Sequence, residues 1–276
     1  MYKKSKIVFL FLISISLLTS LVLCGIDIYN HYTYLQKIKK TDYKEINRTV
    51  QIIEKLSHEN FNQSENQIDK NMPPVGRIQN KKQLSHGTAF IIDDHTIITN
   101  YHVIKKGLKK QGLKHFEFTP HKKPVEFKNN EYVPAFSTPI IDKHKIKDVD
   151  LVVLKTKKNL HAYGQLKLSN NTPNRYQETT SFGYPNPKFN KNIDDSKMTR
   201  TIYRFIKKDN HKQKFYVKGV IHPGSSGSPM LNEQGYVYGV ASFRHSDDID
   251  QGVSGGVLLN HHIIKNINTH KEEFEK

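Results

Sequence analysis

From Gly76 to about residue 258, apolar positions come in short runs separated by clusters of Asp, Asn, Gly and Pro, which is the pattern of strands and turns rather than of helices. Residues 88–92 and 96–99 flank Asp93 and Asp94 and predict a hairpin. Residues 230–231 and 236–240 flank Asn232-Glu-Gln-Gly235 and predict another. Residues 150–155, an unbroken apolar run behind Asp150, predict a strand with no wet face. Two segments differ. In residues 42–61, Ile46, Val50, Ile53 and Leu56 make one helical stripe, with Thr41 or Asp42 as cap. Residues 259–274 put Ile263, Ile264 and Ile267 on one face of a second helix. Between the first helix and the strands, residues 62–76 are rich in Asn, Gln and Lys and contain Pro73 and Pro74, as a linker would. There is no clear internal repeat. An all-β body with a terminal helix predicts packed barrels.

The first 26 residues stand apart. Lys3, Lys4 and Lys6 precede an uncharged apolar run over 7–26, which predicts an export signal. The run is also long enough to span a bilayer, and no A-x-A cleavage site follows it. Release after cleavage is the expectation, with an uncleaved anchor through residues 7–26 second. The Leu-Val-Leu-Cys run ending at Cys24 is a poor lipoprotein site, because Leu23 is too large.

Cys24 is the only cysteine, so the exported part has no disulfide, no cysteine nucleophile and no cysteine metal site. An exported chain built without disulfides points to a bacterial source. The whole chain carries +17; removing the three leader lysines leaves 40 − 26 = +14. This charge favours acidic partners or anionic surfaces, or simply solvates the surface. No lysine cluster interleaves with aromatics, so nucleic acid is not expected as a partner. There is no HExxH and no phosphate-binding glycine loop, so neither a metal nor a cofactor is expected.

Three short stretches carry candidate chemistry. Gly224-Ser-Ser-Gly-Ser-Pro229 is a turn that could expose Ser226, with glycines allowing close approach of a substrate carbonyl. A serine hydroxyl needs a base within hydrogen-bond reach, and the base needs an orienting acceptor. The apolar strand of residues 96–99 leads to His102, and Asp150 opens its own apolar strand. Each has an ordinary alternative: a Gly/Ser loop, a surface histidine, a solvated strand end. Together they give the order His, Asp, Ser.

The blocks "GTAFIIDDHTIITNYHV", "DVDLVVLK", "SFGYP" and "HPGSSGSPMLNEQGYVYGV" resemble, in order, those of the staphylococcal glutamyl endopeptidase and exfoliative toxin family of trypsin-like serine proteases. The resemblance covers roughly residues 78–268. It divides the chain into a leader (1–26), an extension with helix and linker (27–77), a protease domain (78–268) and a tail (269–276). The implied fold is a chymotrypsin-like double β-barrel of six strands each, with an N-terminal amphipathic helix as in the toxins and a C-terminal helix. His102 and Asp150 would come from the first barrel and Ser226 from the second. The implied roles are Ser226 as nucleophile, His102 as base, Asp150 as orienting carboxylate, the N–H groups of Gly224 and Ser226 as oxyanion hole, and Ser242 as support for Asp150.

The sequence departs from the family in the substrate pocket. Glutamyl preference uses a Thr five residues before the nucleophile and a His fifteen after it. Those positions hold Ile221 and Ala241. Arg244 matches a toxin lysine that favours acidic substrates, and His222 could assist it. Asp247 and Asp248 are the nearest acids that a loop could turn inward. Pro223-Gly224 matches the toxins, whose peptide at this place can be flipped so that the oxyanion hole is unset; a preformed hole is the equal alternative. The expectation is therefore a secreted, monomeric, virulence-type serine endopeptidase acting on a protein substrate. The alternatives are a catalytically idle surface-binding protein on the same fold and an envelope quality-control protease.

Overall fold

The computed structural model describes residues 63–68, 72–80, 83–121, 136–186, 197–244 and 252–275. The leader, the helix expected at 42–61, and Asp247 and Asp248 lie outside them. Among the described residues, no helix is long and apolar enough to cross a membrane.

The described chain is built of antiparallel strands. The first six-stranded set is β2 (Val75–Asn80), β3 (Gln83–Asp93), β4 (Thr96–Thr99), β5 (Phe116–Pro120), β6 (Thr138–Lys145) and β7 (Val152–Thr156). It closes in the order β2-β3-β4-β7-β6-β5. Between β4 and β5 lies helix α1 (Tyr101–Gln111). The second set is β8 (Glu178–Gly183), β9 (Met198–Asp209), β10 (Lys214–Lys218), β11 (Pro229–Leu231), β12 (Val237–Arg244) and β13 (Val253–Leu258). Pairing of β8 with β9 closes this barrel as well. Helix α2 (His261–Glu275) ends the described chain. Two closed six-stranded antiparallel barrels with a C-terminal helix make this the chymotrypsin-like fold.

The unbroken apolar runs are explained by burial on two sides. Ile97 of β4 and Val152 and Leu154 of β7 fill the first barrel with Ile78, Ile91 and Phe118. Their neighbours Ile98 and Val153 point the other way, into a second cluster with Phe90 of β3, Val237 and Val240 of β12, and Ile263, Ile267 and Phe274 of α2. A strand between two cores cannot alternate apolar with polar. The second barrel has its own filling, centred on Phe215, Tyr238, Phe205 and Met230. The cluster shared by both barrels and α2 fixes how one barrel sits against the other.

Two expectations need correction. The segment read as linker contains strand β1 (Ser64–Ile68), which pairs with β9 along Ser64↔Ile202 to Ile68↔Met198. An edge strand pairs through its backbone and keeps one face wet, so the polar SENQI gives no apolar signal. The folded body thus begins before residue 78. The C-terminal tail assigned to 269–276 is helical through Glu275, and Phe274 is buried.

Candidate active site

The site is assembled from the N-terminus of α1, the approach to β7, the end of β12 and the loop before β11. Helix α1 starts at Tyr101 behind Asn100, whose side chain makes no cap bond to the helix. The Asn100 Nδ2 instead donates to the Asp150 carbonyl at 2.9 Å, and the Tyr101 N–H reaches the same oxygen at 3.3 Å. The unsatisfied N–H groups of the first turn therefore need another acceptor. Asp150 supplies it: its Oδ1 accepts the backbone N–H of His102 at 2.9 Å. Its Oδ2 meets His102 Nδ1 at 2.5 Å and accepts the Ser242 hydroxyl at 2.7 Å. One carboxylate thus caps the helix, orients the imidazole and is itself oriented by β12.

Burial acts to raise the Asp150 pKa. The hydrogen bond and charge of His102, the Ser242 hydroxyl and the His102 N–H outweigh it, so the carboxyl is held below its ordinary value. The imidazole is partly open, with 46% of its side chain exposed against 33% for Asp150. Because Nδ1 faces the carboxylate, Nε2 is the nitrogen left for proton exchange.

The serine loop belongs to the second barrel but is tied to the first. The Thr88 N–H donates to the Ser226 carbonyl at 2.9 Å. The Thr88 hydroxyl donates to the Gly224 carbonyl and accepts the Tyr184 N–H, both at 3.0 Å. Gly87 stands between Ser226 and the helix of His102. A Cβ there would fall 2.6 Å from Val103 Cγ1 and 3.2 Å from the Ser226 carbonyl. Gly227 adopts φ +91 and lies so close to the Thr88 carbonyl that no side chain would fit.

The Pro223-Gly224 pair forms the centre of a turn closed by the Ser225 N–H on the His222 carbonyl at 3.0 Å. Proline followed by a glycine at φ +93 is the type II arrangement. The Pro223 carbonyl accepts the Asn186 N–H at 2.7 Å, which turns the Gly224 N–H to the opposite side. Of the two peptide orientations open from sequence, the structure holds this one by a named bond.

The expected pocket residues are near one another but differ in character. Ile221 is buried and donates its N–H to the Ser254 hydroxyl at 2.9 Å. Ala241 is buried and hydrogen-bonded to Gly227 and Ser228 through its backbone. Arg244 is half-buried at the end of β12, opposite Ser254. His222 departs from expectation. It is buried, and its Nε2 lies 3.2 Å from Glu65 Oε1 of β1, without hydrogen-bond alignment. An acid of the chain itself occupies the partner position that a substrate carboxylate was expected to take.

Sequence reasoning missed Thr88, Asn100, Asn186 and Glu65. Thr88 is the first residue of the apolar run 88–92, and a threonine there carries no signal beyond β-propensity. Helix α1 was also missed, because lysines at 105, 106, 109 and 110 dilute its apolar stripe.

Residues 87–240, more than half of the chain, match the model of the trypsin-like peptidase domain. The chain belongs to that family. A search of curated proteins finds no match. Solved structures show the same fold at low identity. A Glu endopeptidase in complex with MPD is 17% identical, at a TM-score of 0.59, over 75% of this chain and 96% of that one. A scabies mite inactivated protease paralogue is 12% identical, at a TM-score of 0.56, over 72% and 93%.

Two outcomes follow from this geometry. Replacing Thr88 by Val keeps the volume but strands the buried Tyr184 N–H and frees the Gly224 carbonyl. It should destabilise the protein by about 1–3 kcal/mol and lower kcat/KM at least about tenfold, mainly through kcat. Thr88→Ser should restore both, and an equally impaired Ser variant would show that the methyl, not the hydroxyl, matters. The second concerns acid. A carboxyl with a depressed folded pKa stabilises above its unfolded pKa of about 3.9 and loses that contribution as pH falls through the folded value. Melting curves from pH 2 to 6 should show a steeper acid loss in the wild type than in Asp150→Asn. Equal slopes would mean that Asp150 is not held below its normal value.

Proposed function

We propose that this protein is a secreted serine endopeptidase of the glutamyl endopeptidase and exfoliative toxin type, with a narrow choice of protein substrate. The carrying observation is the chain Ser242–Asp150–His102, built on two oxygens of one carboxylate. With Nδ1 held by Asp150, Nε2 removes the proton from Ser226 Oγ as the oxygen attacks the scissile carbonyl. The Gly224 and Ser226 N–H groups receive the oxyanion. The imidazolium then returns its proton to the leaving amine, and the acyl-enzyme is hydrolysed by water activated in the same way. Asp150 stays ionised throughout and stabilises the imidazolium. The leader of residues 1–26 supports export, and the absence of cysteine after residue 24 suits a bacterial exported chain.

Glutamyl preference is not part of the reading. A buried Ile221 and Ala241 offer the substrate no side-chain donor, and His222 already faces Glu65. Arg244, half-buried at the end of β12, is a cation beside these residues. It would favour an acidic side chain weakly, or leave a pocket that prefers apolar ones.

One observation keeps the idle alternative in play: the scabies mite relative, on the same fold, is described as inactivated. Labelling with a fluorophosphonate separates the two. Wild type should label, and Ser226→Ala should not. Ser226→Ala, His102→Ala and Asp150→Asn should each lower peptidase activity by several orders of magnitude while melting as cooperatively as wild type. A folded Ser226→Ala protein with wild-type activity would refute the assignment; Ser225→Ala and Ser228→Ala are the controls. On a peptide library, cleavage after acidic residues should fall in Arg244→Ala, with apolar cleavage unchanged. A wild-type profile dominated by Lys or Arg would overturn the specificity reading.

A further inference from the structure

Far from the serine loop in sequence, three metal-binding side chains converge where α2 crosses the first barrel. His144 lies on β6, and His270 and Glu273 lie one turn apart on α2. The two imidazoles stack with centroids 4.2 Å apart and planes 6° from parallel. A single oxygen, Glu273 Oε2, is 2.8 Å from His270 Nδ1 and 3.7 Å from His144 Nε2. One ligand atom from each residue falls within 4.8 Å of the other two.

We propose that His144, His270 and Glu273 form a divalent transition-metal site, with zinc the best-suited ion. Metal–nitrogen and metal–oxygen bonds of about 2.0–2.2 Å at tetrahedral angles place neighbouring ligand atoms roughly 3.3–3.5 Å apart. The two oxygen–nitrogen separations bracket that value, and the stacked imidazoles must rotate out of their parallel planes before their lone pairs converge on one ion. Two imidazoles and one carboxylate select zinc, copper or nickel over calcium or magnesium, which prefer oxygen ligands. Two lysines lie close by. Lys155 Nζ sits 5.7 Å from the Phe274 ring centroid, and Lys271 is paired with Asp93 at 2.7 Å. The Asp93 carboxylate offsets the Lys271 charge, and what repulsion remains opposes every divalent ion alike, so imidazole donation must supply the attraction.

The surroundings restrict the ligands. Phe274 is buried and its ring lies 5.1 Å from that of His144, closing one side. The other side is open, since 35% of the His144 side chain, 27% of His270 and 47% of Glu273 remain exposed. A fourth ligand would therefore be water, and the ion would exchange with solvent. The consequence is mechanical. α2 follows the last strand of the second barrel, and β6 belongs to the first. Coordination would cross-link the barrel that carries His102 and Asp150 to the helix leaving the barrel that carries Ser226.

The test uses the purified full-length chain carrying Ser226→Ala, so that autolysis does not interfere. After chelator treatment and dialysis, zinc chloride is added and thermal unfolding and bound zinc per chain are measured. At zinc a hundredfold above Kd, the melting temperature should rise by roughly 5–10 °C. His144→Gln and His270→Gln, each checked for native circular dichroism, should lose both the rise and one bound zinc. His261→Gln, exposed on the same helix, should retain them and so report on adventitious histidine binding. The proposal fails if wild type shows no rise. It fails equally if His144→Gln and His270→Gln bind and respond like wild type.

Discussion

The hydroxyl of Thr88, fully buried where the barrels meet, donates to the Gly224 carbonyl and accepts the Tyr184 N–H, while its own N–H holds the Ser226 carbonyl. This residue sits on β3 of the first barrel, and the three groups bound by its hydroxyl and its N–H belong to the second. A site split between two barrels has its reacting atoms in register only if the barrels are, and a productive geometry tolerates about 0.5 Å. The shared core under α2 sets the gross placement through nondirectional apolar packing. Hydrogen bonds at Thr88 add the direction. They also explain two glycines: Gly87 and Gly227 clear the space that lets strand and loop come close enough to bond.

Asp150 extends the same logic to the other half of the site. Its carboxylate accepts from the backbone and the ring of His102 and from Ser242, so it links α1 to β12 across the barrel boundary. An asparagine in its place would have to present an NH2 either to the His102 and Ser242 side or to the His102 N–H. Facing the backbone N–H, the NH2 sets donor against donor; facing the ring, it does so too unless the imidazole changes tautomer and loses Nε2 as an acceptor. The demand for a carboxylate is thus structural and chemical at once.

How much of this was legible depended on whether the signal was local. The hairpins at 88–99 and 230–240 showed because Asp93-Asp94 and Asn232–Gly235 punctuate apolar runs, and both appear where the pattern put them. The buried strand behind Asp150 showed because both of its faces are covered. His102, Asp150 and Ser226 stood out through their surrounding blocks, and the structure bonds the first two directly. Strand β1 stayed hidden because an edge strand needs backbone partners rather than apolar side chains. The flank of His222 stayed hidden for the same reason, since its partner lies 157 residues earlier. Thr88 was visible only as one more β-branched residue in a strand.

Strand β1 also bears on how this chain manages without disulfides. The loop of residues 219–222 precedes the Pro-Gly turn and carries Ile221 of the proposed pocket. It has no cysteine to pin it, the only one being Cys24. Instead Gln63 Nε2 donates to the Val220 carbonyl at 3.1 Å, and the Val220 N–H donates to Gln63 Oε1 at 2.7 Å. Beside this amide pair, Glu65 meets His222. Three polar contacts from β1 and the residue before it thus close a loop of more than 150 residues. Unlike a covalent bridge, they depend on β1 staying paired with β9. This part of the proposed pocket is therefore as stable as the docking of a short N-terminal strand, and substitutions at Gln63 or Glu65 would act on the substrate side of the site without touching it.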